Sequence, residues 1–163
     1  MNEQQHRTRR QLIAGSLAGL GSLAISSAQT PKTIIDTKAI HHEVDLAASP
    51  QRIYDALLDE KQFKAFSGMA AQINREAGGA FTIFEGHIAG RNLELVPTRR
   101  IVQAWRVVPW PQGVYSIARF EFEARGTGTR VTFDHTGFPP DLAESLESGW
   151  HDHYWKALRA YLA

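Results

Sequence analysis

Few residues in this chain could do chemistry. His135 shares the strand parity of Val131 and Phe133, His42 that of Val44, and Glu85 that of Phe81 and Ile83. Residues two apart on a strand face the same side, so all three are expected on an apolar face. An inward carboxylate needs a partner or a raised pKa. A lone inward histidine is more often a satisfied core group than a general base. His151-Asp152-His153 suggests a metal site, but residues two apart on a regular helix point about 200° from each other and cannot grip one ion. No Ser-His-Asp spacing, phosphate loop or HExxH occurs, and there is no cysteine. Gly126-Thr127-Gly128 leads into a strand, so it is a hairpin turn rather than a dinucleotide fingerprint. No catalytic residue, metal ligand or cofactor is assigned.

The elements that hold these residues are clearer. From Pro140 to Ala163, Leu142, Leu146, Trp150, Tyr154, Leu158 and Leu162 recur every four residues, with Ala143, Ala157 and Tyr161 beside them. This is an amphipathic helix. Trp150, Tyr154 and Trp155 crowd its middle and need a broad apolar surface to cover. His151 is expected on its outer face. Upstream, Ala39 to Leu46 alternates as a half-buried strand. Ser49-Pro50 is an N-cap with proline at the first helical position, opening a short helix. A second short helix runs from Glu60 to Phe66 and stops near Gly68. From Ala70 to Gly137, short apolar runs separated by turns read as an antiparallel meander: Gln72 to Glu76, Ala80 to Glu85, Ile88 to Val96, Ile101 to Val108, Val114 to Ala124, Thr129 to Thr136. Arg106 and Arg119 are expected toward solvent. The fold class is α+β, a curved antiparallel sheet of about six or seven strands wrapped on a long C-terminal helix.

The chain has 163 residues, a formal charge of +1 and 43% hydrophobic content, an ordinary globular composition that gives no case for a nucleic-acid partner. Residues 1–28 hold Arg7, Arg9 and Arg10 against Glu3, so without them the net charge falls to −1. This stretch reads as an export signal: a basic start, an uncharged run from Leu12 to Ile25, and Ser26-Ser27-Ala28 before Gln29. The run has 14 residues, against ~20 for a spanning helix. Thr8-Arg9-Arg10-Gln11-Leu12-Ile13 resembles the twin-arginine motif, with a general secretory signal or an uncleaved anchor as alternatives. The expected partners are the twin-arginine translocase and signal peptidase. The expected location is periplasmic or secreted, with no stable membrane span in the mature form. Residues 29–38 read as a flexible tail and residues 39–163 as one domain.

Leu46-Ala47-Ala48-Ser49-Pro50-Gln51-Arg52-Ile53-Tyr54-Asp55-Ala56-Leu57-Leu58-Asp59 resembles the opening of START-like (SRPBCC) helix-grip proteins. Gly78-Gly79-Ala80-Phe81, Glu85-Gly86, Leu95-Val96-Pro97, Ile101 to Arg106, Gly128 to Phe133, His135-Thr136-Gly137-Phe138 and Gly149-Trp150 are similar to the Aha-like subfamily, named for the activator of the Hsp-ninety ATPase. In order, these pieces cover about Ile40 to the C-terminus. The resemblance implies a cavity between helix and sheet, often for a small apolar ligand. The subfamily name implies a chaperone partner, which an exported domain would not meet in the cytosol.

Strand parity and the helix stripe put Phe81, Ile83, Glu85, Trp105, Phe120, Phe133, His135, Trp150 and Tyr154 around that cavity. So many apolar groups beside so few polar ones favour holding a small apolar or amphipathic molecule over acid–base chemistry on it. Two alternatives stand beside this. One is a cyclase- or hydrolase-like enzyme using Glu85 or His135. The other is a chaperone-activator-like interaction module.

The export reading has a direct test. Changing Arg9→Lys together with Arg10→Lys should abolish export and leave the domain folded, with the exported wild-type form starting near Gln29. Normal export of the double variant, measured by cell fractionation, refutes the twin-arginine assignment.

Overall fold

The computed structural model describes residues 38–163. The expected export signal at 1–28 and all but the last residue of the expected tail at 29–38 lie outside them. Strand β1 (Ala39–Leu46) leads to helices α1 (Pro50–Leu58) and α2 (Glu60–Ser67). Strands β2 (Gln72–Ile73), β3 (Ala80–Ile83), β4 (Ile88–Val96), β5 (Arg100–Val107), β6 (Ser116–Arg125) and β7 (Gly128–Thr136) follow. They form one antiparallel sheet in the order β1-β7-β6-β5-β4-β3-β2. The chain starts at one edge, crosses by the two helices to the other edge, and returns strand by strand until β7 meets β1. The α+β sheet-and-helix architecture expected from the sequence is the one observed.

Local chemistry explains the helix boundaries. The Ser49 hydroxyl accepts from the Arg52 amide at 3.3 Å, with proline at the first position of α1. The Asp59 carboxylate accepts from the Lys61 and Gln62 amides and caps α2, which ends at Gly68 in the left-handed region. The meander departs from its sequence reading in several places: β2 stops at Ile73 instead of Glu76, β6 starts at Ser116 instead of Val114, and two departures change which side chains face inward. Strand β3 ends at Ile83, because Phe84 and Glu85 adopt positive φ in a turn closed by the Gly86 amide on the Ile83 carbonyl. Strand β4 carries a bulge between Asn92 and Glu94, which leaves Leu93 exposed and Asn92 buried. The Asn92 side-chain amide donates to the Asn74 carbonyl, and its side-chain oxygen accepts from Gln103 at 2.9 Å. A further departure is Arg106, which is half-buried rather than solvent-facing and donates to the carbonyls of Val108 and Trp110, pinning the loop before β6.

The last helix is not one regular element. A 3-10 turn, Pro140–Leu142, precedes α3 (Ala143–Gly149); a π-helical turn, Trp150–Trp155, follows; α4 (Lys156–Leu162) completes it. In an α-helix, residues five apart stand about 140° from each other and could not share one face. A π turn closes i to i+5 bonds and narrows that angle enough for both to reach one face. Trp150, Tyr154 and Trp155 are consequently all buried, at 1%, 4% and 4% exposure. His151, His153 and Asp152 stay exposed. Among the described residues no helix is long and apolar enough to cross a membrane.

The two indole N–H groups on this turn decide where it docks. Trp150 Nε1 donates to His135 Nδ1 at 2.9 Å. An indole only donates, so Nδ1 is the bare nitrogen, and His135 Nε2–H donates to Ser116 Oγ at 2.7 Å. The Ser116 hydroxyl donates in turn to the Trp105 carbonyl at 3.0 Å. Beside this chain, Trp155 Nε1 donates to His42 Nδ1 at 2.7 Å, and His42 Nε2 meets the Glu147 carboxylate at 2.6 Å. The two histidines come from neighbouring strands, where Ile40 opposes His135 and His42 opposes Phe133. His135 is fully buried, and burial lowers its pKa to about 4.

Two stability results are expected. Trp150→Ala should destabilise by about 3–5 kcal/mol, as loss of a buried large aromatic does. His151→Ala should stay within about 0.5 kcal/mol. Similar urea midpoints for the pair would mean the docked face is wrongly assigned. The second result concerns pH. The folded pKa of His135 lies below its unfolded value of about 6.5, so the unfolded state takes up the proton first. Stability is complete above about pH 6.5 and is lost as pH falls toward 4. Between pH 7.5 and 4.5 the wild-type chain should lose about 2–3 kcal/mol more than a His135→Gln variant, which cannot titrate. Equal losses in urea melts would show that this histidine does not drive the acid sensitivity.

Candidate functional site

A cavity of about 440 Å³ lies under the last helix, toward the β3–β5 end of the sheet. Its size falls within the usual range for small-molecule sites. Helix α3 and the π turn supply Ser145, Leu146, Gly149, Trp150, His153 and Tyr154; strand β5 supplies Trp105 and Val107. Phe84, His87 and Ile88 come from the β3–β4 turn and the start of β4, and Met69 from the loop after α2. No lysine, arginine, aspartate or glutamate lines it.

The geometry follows from local sequence. Trp105 and Trp150 stack at 5.1 Å between ring centroids, and Trp150 and Tyr154 lie 4.3 Å apart. Phe84 packs edge-on against Tyr154 at 5.3 Å, although its own backbone is held at φ 53°. Phe84 and Glu85 occupy consecutive left-handed positions that suit glycine or asparagine, a strained arrangement of the kind that collects at ligand sites. His87 Nδ1 donates to the Phe84 carbonyl at 2.8 Å and braces the turn. At the mouth, the exposed His153 ring stands 6.2 Å from Phe84.

Two polar groups meet behind this wall, the Trp105 indole and the Tyr154 hydroxyl. Trp105 Nε1 is sealed from solvent and lies against the Tyr154 hydroxyl oxygen, short of ideal hydrogen-bond geometry. Burial pushes the Tyr154 hydroxyl far above the ordinary tyrosine range, with the Trp105 indole pulling the other way, so this hydroxyl keeps its proton.

The nine residues expected around the cavity separate into four sets. Trp105, Trp150 and Tyr154 line it. Phe81, Ile83 and Phe120, again with Tyr154, surround only a void of about 10 Å³, so these three act as packing. Phe133 is fully buried against Trp150 at 4.2 Å, and His135 is occupied by the hydrogen-bond chain described above; neither lines the cavity. Glu85 is not on the apolar face: the turn that ends β3 removes it from strand parity and leaves it exposed. The carboxylate and the histidine considered for acid–base work therefore do not converge. Among the described residues no group of three or more His, Cys, Asp or Glu could hold a metal ion.

Several wall residues escaped the sequence reading. Val107 had a usable signal, since it shares the parity of Trp105, and Leu146 belonged to the helix stripe. Phe84, His87 and Ile88 had none, because the tight turn overrides the alternation that would have located them.

Comparison with known proteins agrees with this architecture. The family model described as activator of Hsp90 ATPase homolog 1-like protein matches residues 47–163. A relative described as activator of 90 kDa heat shock protein ATPase homolog, from Dictyostelium discoideum, is 34% identical over 122 residues, covering 74% of this chain and 32% of that protein. The corresponding human homolog 1 is 26% identical over 111 residues, covering 68% of this chain and 33% of its own. The chain thus spans about a third of the length of the curated relatives it matches. Among solved structures, an HSP90 activator from Plasmodium falciparum superposes with a TM-score of 0.73 at 22% identity, covering 76% of this chain and 95% of that one. The match runs from the end of β1 through the capped helices, the meander and the docked last helix, and on that ground the chain belongs to the activator of Hsp90 ATPase homolog 1-like family, within the START-like helix-grip proteins.

Proposed function

We propose that this chain is an exported binding protein that holds a small hydrophobic or amphipathic molecule between its sheet and its last helix. The observation that carries the reading is the cavity itself: about 440 Å³, walled mainly by aromatic and aliphatic side chains, with no lysine, arginine, aspartate or glutamate among them. A domain that only filled its core would pack Trp105, Trp150 and Tyr154 against side chains on every side, since protein interiors leave few voids larger than a water. Export rests on the twin-arginine-like segment at 1–28 and would place the protein in the periplasm or outside the cell.

A second reading is favoured by the relatives' descriptions. It makes the chain a protein-interaction module of the Hsp90-activator kind. Such a module needs an exposed binding face rather than an open interior. The cyclase- or hydrolase-like alternative loses its two nominated groups, because neither Glu85 nor His135 lines the cavity.

Titration with the neutral fluorophore N-phenyl-1-naphthylamine separates the readings. We expect saturable binding at about 1:1, with transfer from Trp105 and Trp150 to the probe. Val107→Trp places a larger ring on the half-buried cavity wall and should weaken binding about tenfold or more, with the urea midpoint little changed. Glu85→Gln should bind as the wild type does. Absence of saturable binding in the folded wild-type chain would favour the interaction module.

A further inference from the structure

We propose that the ligand is an amphiphile seated tail first, and that its head is a neutral hydroxyl at the cavity mouth, donating to Nε2 of His87. This rests on the binding-protein reading above and adds the orientation of the ligand and the chemistry of its polar end.

The cavity is polar at one end only. Its buried lining side chains are Phe84, Ile88, Trp105, Leu146, Trp150 and Tyr154. Their polar atoms are already engaged: Trp150 Nε1 with His135, and the Trp105 indole with the Tyr154 hydroxyl behind the wall. A polar group pushed to this end would shed its water and gain no partner. The hydrophilic lining side chains, His87, Ser145 and His153, all stand at exposed positions. His87 and His153 flank Phe84, the first bonded to its carbonyl and the second 6.2 Å from its ring. The tail of a ligand therefore goes in, and its head stays among these groups.

The turn decides which head. A carbonyl only accepts, so His87 Nδ1 carries the proton in its 2.8 Å bond to the Phe84 carbonyl. In the neutral ring Nε2 is then the bare nitrogen, and it makes no hydrogen bond among the described residues. The backbone beneath the ring is fixed as well. The His87 amide donates to the same Phe84 carbonyl at 3.1 Å, and the His87 carbonyl accepts from the Val108 amide at 2.9 Å. An acceptor held in place in this way selects a donor. An alcohol supplies one; an ether or a ketone does not. A carboxylate would bring a negative charge onto a lone pair, with no lysine or arginine in the lining to meet it.

Three matched probes test this on the 163-residue chain at pH 8: 2-naphthalenemethanol, its methyl ether and 2-naphthoate. The alcohol should bind more tightly than the ether, and the naphthoate most weakly. In a His87→Asn variant the shorter side-chain amide still reaches toward the Phe84 carbonyl but offers nothing at the place of Nε2. The ratio of alcohol to ether affinity should fall about fivefold there, the value of one neutral hydrogen bond. His87→Gln sets an amide oxygen near the place of Nε2 and should keep most of the ratio. In the wild-type chain, NMR of the His87 ring nitrogens should find the proton on Nδ1, and the alcohol but not the ether should move the Nε2 resonance upfield. This measurement decides where a variant fails to fold. An equal ratio in all three chains with Nε2 unmoved, or a proton found on Nε2, overturns the head assignment and leaves the binding-protein reading standing. Tightest binding of the naphthoate overturns the neutral head. If none of the three probes binds saturably, both readings fall.

Discussion

Two indole N–H groups that must be buried and must be satisfied govern this structure. An indole can only donate, and the apolar face of a sheet offers almost nothing that accepts. The sequence provides two neutral imidazoles in neighbouring strands, His135 on β7 and His42 on β1, each presenting a bare Nδ1 to the helix. These two bonds set the rotation of the helix about its axis and its position along the strands. They also require Trp150 and Trp155 to point the same way, and the helix meets that requirement by widening into a π turn. The irregularity is thus the solution to a hydrogen-bonding problem rather than a defect in the helix.

The same docking creates the space beneath it. Trp150 and Trp155 draw the middle of the helix toward β7 and β1, where Phe133 and Phe120 fill the gap closely. At the β3–β5 end the sheet curves away, and the short β3 and its strained turn supply only one side of a wall. Packing is therefore dense on one side of the grip and open on the other. That asymmetry is why a cavity with aromatic walls coexists with a fully occupied core, and why the buried histidine is structural although it accepts a hydrogen bond from Trp150, which lines the cavity.

Most of the fold could be read from residue patterns. The capping Ser49-Pro50, the stop at Gly68, the alternation of Ala118, Phe120 and Phe122 against Arg119, Glu121 and Glu123, and the four-residue stripe of the last helix each reported a local preference that the tertiary structure kept. The site was read less completely, for physical reasons. Alternation locates a side chain only while the strand continues, and at Phe84 it stops, which is why Glu85 was placed inward and stands in solvent. A stripe counted in fours assumes an α-helix throughout, so Trp155 fell outside it. Asn92 and Gln103 share the inward parity of Ile88 and of Ile101 and Trp105, and as polar residues they are core only because they hydrogen-bond to each other, a pairing no single-strand pattern announces.

The strand order has a kinetic consequence. β1 is the first strand made and finds its partner only in β7, the last: Ala39 pairs with Thr136 and Leu46 with Thr129. Closing so large a loop costs conformational entropy before any contact rewards it. The meander from β3 to β7 is built from local hairpins and can assemble earlier. Folding should therefore be limited by the arrival of β1 at the edge of a sheet that is otherwise complete, on the slower timescale of topologies rich in distant contacts. Until then the free edge of β7 is an open template for any extended chain nearby, including β1 of another copy. The step that completes the sheet covers β7 and passes the edge to β1 itself.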